Sequence, residues 1–254
     1  MQSKTGGSRE HFFPHINKKP LVSIVIVTFN ADKYLKDGIE SIISQSFKNI
    51  DLVIIDGEST DKTLKVIRTY EKYISYWCSE PDKGIYHAMN KAVKLLKGQW
   101  VLFLGADDRL LNGFSQLAEK LEDPNTLYYG DCMINEQSLG GEFSAYRLAK
   151  MNICHQALFY PAKIFKLKKY AVKYQVFADY ALNIQCWGDP LINRKYFSFP
   201  ITRYNPNGFS ATTSDNLFKT DKPKWIKKYL GRIIYIRYLI RRWKEARKRD
   251  SNFF

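Results

Sequence analysis

Apolar and polar positions along this chain change period in a regular order. The run LVSIVIVTFN (21–30) is rich in β-branched residues and turns polar only at its end, as does a strand covered on both faces. Residues 33–45 follow a helical period, with Leu35, Ile39, Ile42 and Ile43 on one face. DLVIIDG (51–57) is a second buried strand, and STDKTLKVIRTYEKY then opens a helix that Ser59, Thr60 or Asp61 can cap. ISYWCSE (74–80) predicts a third strand, GIYHAMNKAVKLLKG (84–98) a helix closed by Gly98, and QWVLFL (99–104) a fourth strand. Such alternation predicts an α/β fold, a Rossmann-like and mostly parallel central sheet with helices on both faces. Beyond residue 113 the pattern loosens. TLYYGDCMI, GEFSAYRLA, CHQALFY and NRKYFSFPITRYN predict further strands, with short helices over 161–169 and 179–187.

The ligand crevice of a parallel sheet lies at the carboxyl ends of its strands. There the chain places Thr28 and Asn30, then Asp56 and Gly57, then Asp82 and Lys83, and finally Asp107 and Asp108. The last pair closes the stretch GQWVLFLGADDRL, where two adjacent carboxylates repel each other and call for a positive partner. No G-x-G-x-x-G follows a strand and no G-x-x-x-x-G-K-[ST] is present, so neither a dinucleotide fold nor a P-loop is supported. A divalent Mn²⁺ or Mg²⁺ held by carboxylates is the physical alternative for handling phosphates. The plainer alternative has one of the two aspartates capping a helix near Gly113 and the other facing water.

SIVIVTFN, LVIIDGESTDKT, SEPDKGIYHAMNKA and GQWVLFLGADD, in this order, resemble the family 2 glycosyltransferases of the GT-A fold. Within them the likeness is to the bacterial branch that builds capsule, exopolysaccharide and O-antigen. It spans roughly residues 21–210. The resemblance implies an inverting, metal-dependent transferase of the hexosyltransferase type, using a nucleotide-sugar donor, with UDP-sugar favoured. Thr28, Asn30 and Asp56 would line the donor pocket, with Asp56 accepting from the imide of a uracil-type base; an Asp that merely ends its strand is the second reading. Lys83 and Gly84 would approach the donor, although a solvated lysine at a helix start suits the same position. His87 stands where this branch often carries an acid. Asp107 and Asp108 would form the metal-binding element, Asp107 the more direct ligand, while Gly105 replaces the first aspartate of the commoner D-S-D-D. In VFADYALNIQCW the resemblance makes Asp179 the general base, with Ala178 in place of the usual Glu. Asp179 as helix N-cap is the competing role. His155, in MNICHQALFY, would contact the diphosphate or acceptor, or else be a hydrogen-bonded core histidine.

Composition adds one element. The 254 residues carry a formal charge of +15, yet residues 222–249 hold twelve Lys/Arg against one acid, leaving the rest near balance. From Trp225 the apolar positions recur at Tyr229, Ile233, Ile236, Ile240 and Trp243, the period of an amphipathic helix with basic residues on its other faces. Such a tail suits an anionic bilayer surface, where lipid-linked glycan acceptors reside, or it packs its stripe on the body. The expected organisation is a flexible lead (1–20), a GT-A domain (21–215) and a basic helical tail (222–250). The domain divides into a nucleotide-sugar half (21–112) and an acceptor half (113–215). Scattered cysteines, no apolar leader and no run of membrane-spanning length predict a cytoplasmic protein, peripheral on the inner face of the cytoplasmic membrane. Basic charge alone would suit nucleic acid, but the body lacks any such signature and its acids crowd the crevice, so no nucleic-acid partner is expected. A degenerate transferase fold that only binds nucleotide sugar, or scaffolds other enzymes, is the other alternative.

Overall fold

A computed structural model describes residues 3–8, 21–206, 208 and 213–247. Its strands in chain order are β1 (Lys4–Gly6), β2 (Val22–Thr28), β3 (Ile50–Asp56), β4 (Tyr76–Ser79), β5 (Trp100–Gly105), β6 (Arg109–Leu110), β7 (Thr126–Ile134), β8 (Gln137–Leu139), β9 (Leu158–Pro161) and β10 (Asn193–Arg203). They form one sheet in the order β1-β4-β3-β2-β5-β9-β7-β10-β6, with β8 paired to β7. The strands β4, β3, β2 and β5 are mutually parallel. Past β5 the sheet is mixed. β9 runs antiparallel to both β5 and β7, and β10 lies parallel to β7.

Every residue of β2 and β3 is buried, because the sheet carries an apolar layer on each face. Ile24 and Ile26 of β2 face Leu35, Ile39 and Ile42 of α1 (Leu35–Ile43) and Ile67 of α2 (Thr63–Thr69). Val25 and Val27 face the opposite layer, with Met89 of α3 (Ile85–Ala92) and the helices of the second half. Side-chain alternation therefore splits one apolar run between two cores.

Five expectations need correcting. The helix over 84–98 stops at Ala92, and Gly98 does not cap it. Gly98 instead passes against β2, its N–H donating to Ser23 Oγ (2.9 Å), which in turn donates to the buried Asp51 (2.8 Å). GEFSAYRLA is not a strand: α4 (Gly113–Ala118) is followed in chain order by α5 (Ala145–Lys150), whose N-cap Ser144 accepts from Arg147 N. That cap favours a helix over strand pairing. CHQALFY opens as a 3₁₀ turn over His155–Ala157 before β9 begins, and 161–169 supplies only a 3₁₀ turn, Ala162–Lys166. Of the expected flexible lead, residues 4–6 form an edge strand on β4; residues 9–20 lie outside the described residues.

The tail is not one helix. After α6 (Ala178–Trp187) and β10, α7 (Asn216–Trp225) starts at Asp215, whose carboxylate accepts from Phe218 N (2.9 Å) and Val176 N (3.1 Å). A π-helical turn, Ile226–Leu230, leads to Gly231 at φ +89°, where the helix breaks before α8 (Arg232–Ala246). Residues 248–250 of the expected tail lie outside the described residues. Phe218, Ile226 and Tyr238 are buried against the body, and Trp225 Nε1 donates to Tyr174 Oη (2.8 Å). The far side of α8 stays open, with Ile233 75 % and Trp243 54 % exposed. Among the described residues no helix is long and apolar enough to cross a membrane.

A Cβ added at Gly98 would sit 2.8 Å from both the Trp100 oxygen and the Val22 carbonyl carbon, backbone that cannot swing away. Gly98→Ala should therefore cost about 1–3 kcal/mol, read as a lower midpoint in urea unfolding, whereas a helix-capping glycine of negative φ would tolerate alanine.

Candidate functional site

The carboxyl ends of β2, β3 and β4 lie side by side, pairing Thr28 with Asp56 and Asp56 with Ser79. Asp56 has no exposed surface. Its Oδ2 accepts from Ser59 N (3.0 Å) and Ser79 Oγ (2.6 Å), and its Oδ1 from Ser59 Oγ (2.5 Å). The carboxylate expected to read the nucleobase is thus enclosed, and its bonds to Ser59 and Ser79 build the loop after β3. Ser59 Oγ accepts from Asn30 N (2.8 Å), and Asn30 Oδ1 accepts from Thr60 N (2.9 Å), so Asn30, at φ +49°, clips that loop to the end of β2. Thr28 is buried, and its hydroxyl has no partner among the described residues.

Gly57 brings together Asp82, which the sequence reading puts at the strand ends, and Phe29, to which it gives no role. A Cβ there would lie 2.7 Å from Asp82 Oδ2 and 3.5 Å from the Phe29 ring. Phe29 is 63 % exposed, although it directly follows a fully buried strand. An open aromatic face beside a carboxylate supplies a stacking surface and an acceptor for a ring N–H. The signal was in the sequence: an aromatic residue where the strand had already turned polar. Asp82 Oδ1 also accepts from Gly84 N (2.7 Å), and Gly84, at φ +107°, starts α3 on the exposed edge with Lys83. His87 Nδ1 accepts from Lys83 N (3.3 Å), a loop-closing contact.

Asp107 and Asp108 behave differently from each other. Asp108 is 1 % exposed and held from three directions. Its Oδ2 accepts from Gln156 Nε2 (2.9 Å) and Gly105 N (3.2 Å), and its Oδ1 from Asn205 N (2.9 Å). Burial, with the charge of Asp107 adding to it, pushes the Asp108 carboxyl up to about 6 against the pull of those donors. Asp107 is only partly buried, and its Oδ2 accepts from Asn205 Nδ2 (3.0 Å). Asp107 is thus the carboxylate available to a cation. Asp108, expected beside it as partner ligand, is turned inward and takes three hydrogen bonds from the fold. Among the described residues no three His, Cys, Asp or Glu side chains gather into a protein-only metal cage. One open carboxylate does suit Mg²⁺ or Mn²⁺ bound jointly with substrate phosphates.

The turn that carries Gln156 also carries His155, whose Nδ1 lies 3.3 Å from Asp179 Oδ2. Asp179 sits in the first turn of α6 but does not cap it; Phe177 holds the cap position. It is 5 % exposed, with Oδ1 accepting from Tyr86 Oη (2.8 Å) and Oδ2 from Asn152 Nδ2 (2.7 Å). Burial and the Asp179 charge hold the Tyr86 phenol well above its ordinary value, so it stays a donor. The segment from Cys154 to Gln156 therefore joins the Asp107–Asp108 turn to the Asp179 cluster, two sites from distant parts of the chain.

The family model for glycosyl transferase family 2 matches residues 23–198. The chain belongs to that family. It is accordingly a glycosyltransferase, and its fold is GT-A. A PGL/p-HBAD biosynthesis glycosyltransferase of Mycobacterium tuberculosis is 36 % identical over 239 residues, 88 % of this chain and 91 % of the relative. A GalNAc(5)-diNAcBac-PP-undecaprenol beta-1,3-glucosyltransferase of Campylobacter jejuni is 32 % identical over 137 residues, 52 % of this chain and 44 % of that one. Two solved structures share the fold at low identity. S. aureus TarS 1–349 in complex with UDP-GlcNAc has a TM-score of 0.60 at 17 % identity, over 83 % of this chain and 71 % of that one. The Pyrobaculum calidifontis mannosyltransferase PcManGT in complex with GDP-Man and Mn²⁺ has a TM-score of 0.58 at 13 % identity, over 98 % and 85 %.

Membership makes the departure at Gly105 informative. In this family 2 chain, a Cβ at Gly105 would lie 2.5 Å from Asp108 Oδ2 and 3.0 Å from Asp107 Oδ1. The folded turn has filled the space that a first aspartate would need. Gly105→Asp, which restores the commoner motif on paper, should lower the melting temperature, as differential scanning fluorimetry would record.

Proposed function

We propose that the chain transfers a sugar from a nucleoside diphosphate donor to a lipid-linked glycan acceptor, inverting the anomeric carbon. The observation that carries this reading is the joining of the Asp107–Asp108 turn, through the Gln156–Asp108 bond, to the Asp179–His155 pair by the one turn at 154–156. A UDP-sugar is the donor favoured, since TarS holds UDP-GlcNAc on the same fold. Phe29 stacks on the base and Asp82 accepts from its ring N–H; Thr28, Asn30, Lys83 and Gly84 border this pocket. Asp107 would hold Mn²⁺ or Mg²⁺ together with the diphosphate, and a cation there would offset the charge of the leaving group. Asp108 keeps the turn in shape. The acceptor hydroxyl approaches from the face away from the diphosphate, next to the Asp179–His155 pair, which receives its proton.

With a panel of UDP-sugars and Mn²⁺, release of UDP should need the cation, and Asp107→Asn should lower it about 100-fold or more while the protein stays folded. Release unchanged by chelation and by Asp107→Asn would refute the role given to Asp107.

The acceptor side of the proposal draws on the tail. The C. jejuni relative is named for an undecaprenol-linked glycan. Here Ile233, Ile236, Ile240 and Trp243 form an exposed stripe on α8, among arginines and lysines. Trp225 and Tyr229, which the sequence pattern assigns to the same stripe, pack toward the body instead. The exposed part lays the protein on an anionic inner-membrane surface. Ile236→Glu with Ile240→Glu should weaken co-sedimentation with anionic vesicles at least about tenfold and leave UDP binding unchanged.

A further inference from the structure

We propose that Lys150 and Arg237, where α5 meets α8, bind the phosphate group that joins sugar to lipid in the acceptor; this rests on the lipid-linked acceptor of the reading above. α5 packs against α8, and Arg237 Cζ and Lys150 Nζ both lie over the Tyr146 ring, 4.1 Å and 5.0 Å from its centre. Among the described residues neither cation makes an ion pair. The two helices hold seven Lys and Arg residues and one acid, Glu245, which pairs with Arg241. Arg237 is exposed and Lys150 partly so. Two cations held over one ring without a carboxylate partner suit a phosphate or diphosphate, whose oxygens accept from each.

The charge behind the pair has the same sign. Lys222 of α7 is buried, donates to the Lys150 carbonyl oxygen (3.3 Å) and lies over the rings of Tyr180 (4.6 Å) and Tyr238 (5.5 Å). Burial, with the charge of Arg242 adding to it, brings the Lys222 ammonium down to about 7. A phosphate in front of Lys222 favours its charged form.

The neighbours of the pair decide which phosphate it takes. On α8, Arg237 stands four residues after Ile233 and three before Ile240, so it borders the exposed apolar stripe. Lys150 stands two residues before Asn152, whose Nδ2 donates to Asp179, and Lys222 lies over the ring of Tyr180, the residue after Asp179. The groups therefore follow in the order apolar stripe, cation pair, Asp179. A lipid-linked glycan has the same order of chain, phosphate and sugar hydroxyl. A bilayer phospholipid matches only the first two.

The test uses the full chain and neutral phosphatidylcholine vesicles, with and without a synthetic polyprenyl-diphosphate-linked N-acetylhexosamine, read by co-sedimentation. The lipid should tighten binding, and Lys150→Gln with Arg237→Gln should lower that gain at least about tenfold. Lys150→Arg with Arg237→Lys should keep it, and UDP affinity should stay within about threefold in both variants. The same sugar on an uncharged polyprenyl ether should be bound alike by wild type and by the glutamine variant. Undiminished binding of the diphosphate lipid by that variant, or an equal loss on the uncharged one, overturns the assignment. So does a loss seen only with phosphatidylglycerol vesicles, which makes the pair a headgroup contact of the bilayer. A wild-type chain that binds the diphosphate lipid through this pair, yet transfers no sugar to it from UDP-glucose or UDP-N-acetylglucosamine with Mn²⁺, leaves the phosphate site standing and removes the transfer reading.

Discussion

A buried carboxyl group organises this site. Asp108 lies at the end of a strand with no water to solvate it, so the fold must supply its donors. It draws them from three places: the peptide of Gly105 within its own turn, the side chain of Gln156 and the peptide of Asn205. The second and third come from the latter half of the chain. The same contacts that satisfy Asp108 therefore fix the two halves against each other. They also decide what the neighbours can be. With Asp108 turned inward, Asp107 is left near the surface, and Gly105 has no room for a side chain. His155, one residue before Gln156, has its place set by the same latch.

Asp179 follows the same logic in the first turn of α6. Each of its oxygens meets a donor, and those donors are held by Asn183, Tyr160 and the Val176 carbonyl. Fully connected polar networks of this kind fix side-chain directions closely. The tail continues the pattern outward. Asp215 caps α7 while accepting from Val176 N, so the start of the tail is tied to the loop that leads into α6 and Asp179. One face of the tail completes the core through Phe218, Ile226 and Tyr238, and the other carries apolar and basic residues to the surface.

Much of the first half was legible because periodicity there reflects burial on both faces of a parallel sheet, which few other structures reproduce. The four strands and the family follow from four short blocks of sequence. The second half was harder for identifiable reasons. In GEFSAYRLA the cap at Ser144 outweighed a composition that suits strands, and in CHQALFY a 3₁₀ turn had to precede β9 to place His155 and Gln156. At the site, types and positions were readable, but the direction each carboxylate faces was not. Asp56, Asp107 and Asp108 look alike in sequence. Only the serine cradle around Asp56 and the long-range donors on Asp108 separate the enclosed acids from the open one. Those partners are 23 to 97 residues away for the decisive contacts, beyond any local pattern.

The central claim is that the two adjacent aspartates have divided their work, Asp108 inside the fold and Asp107 toward the donor. Its most direct test is a crystal structure of the chain soaked with UDP and Mn²⁺, read in an anomalous difference map at the manganese edge. The account predicts a single strong peak bonded to a carboxylate oxygen of Asp107 and to the diphosphate, with Asp108 still bonded to Gln156 and Asn205. A peak bonded to Asp108 with Gln156 displaced, or UDP bound with no peak beside Asp107, would contradict it.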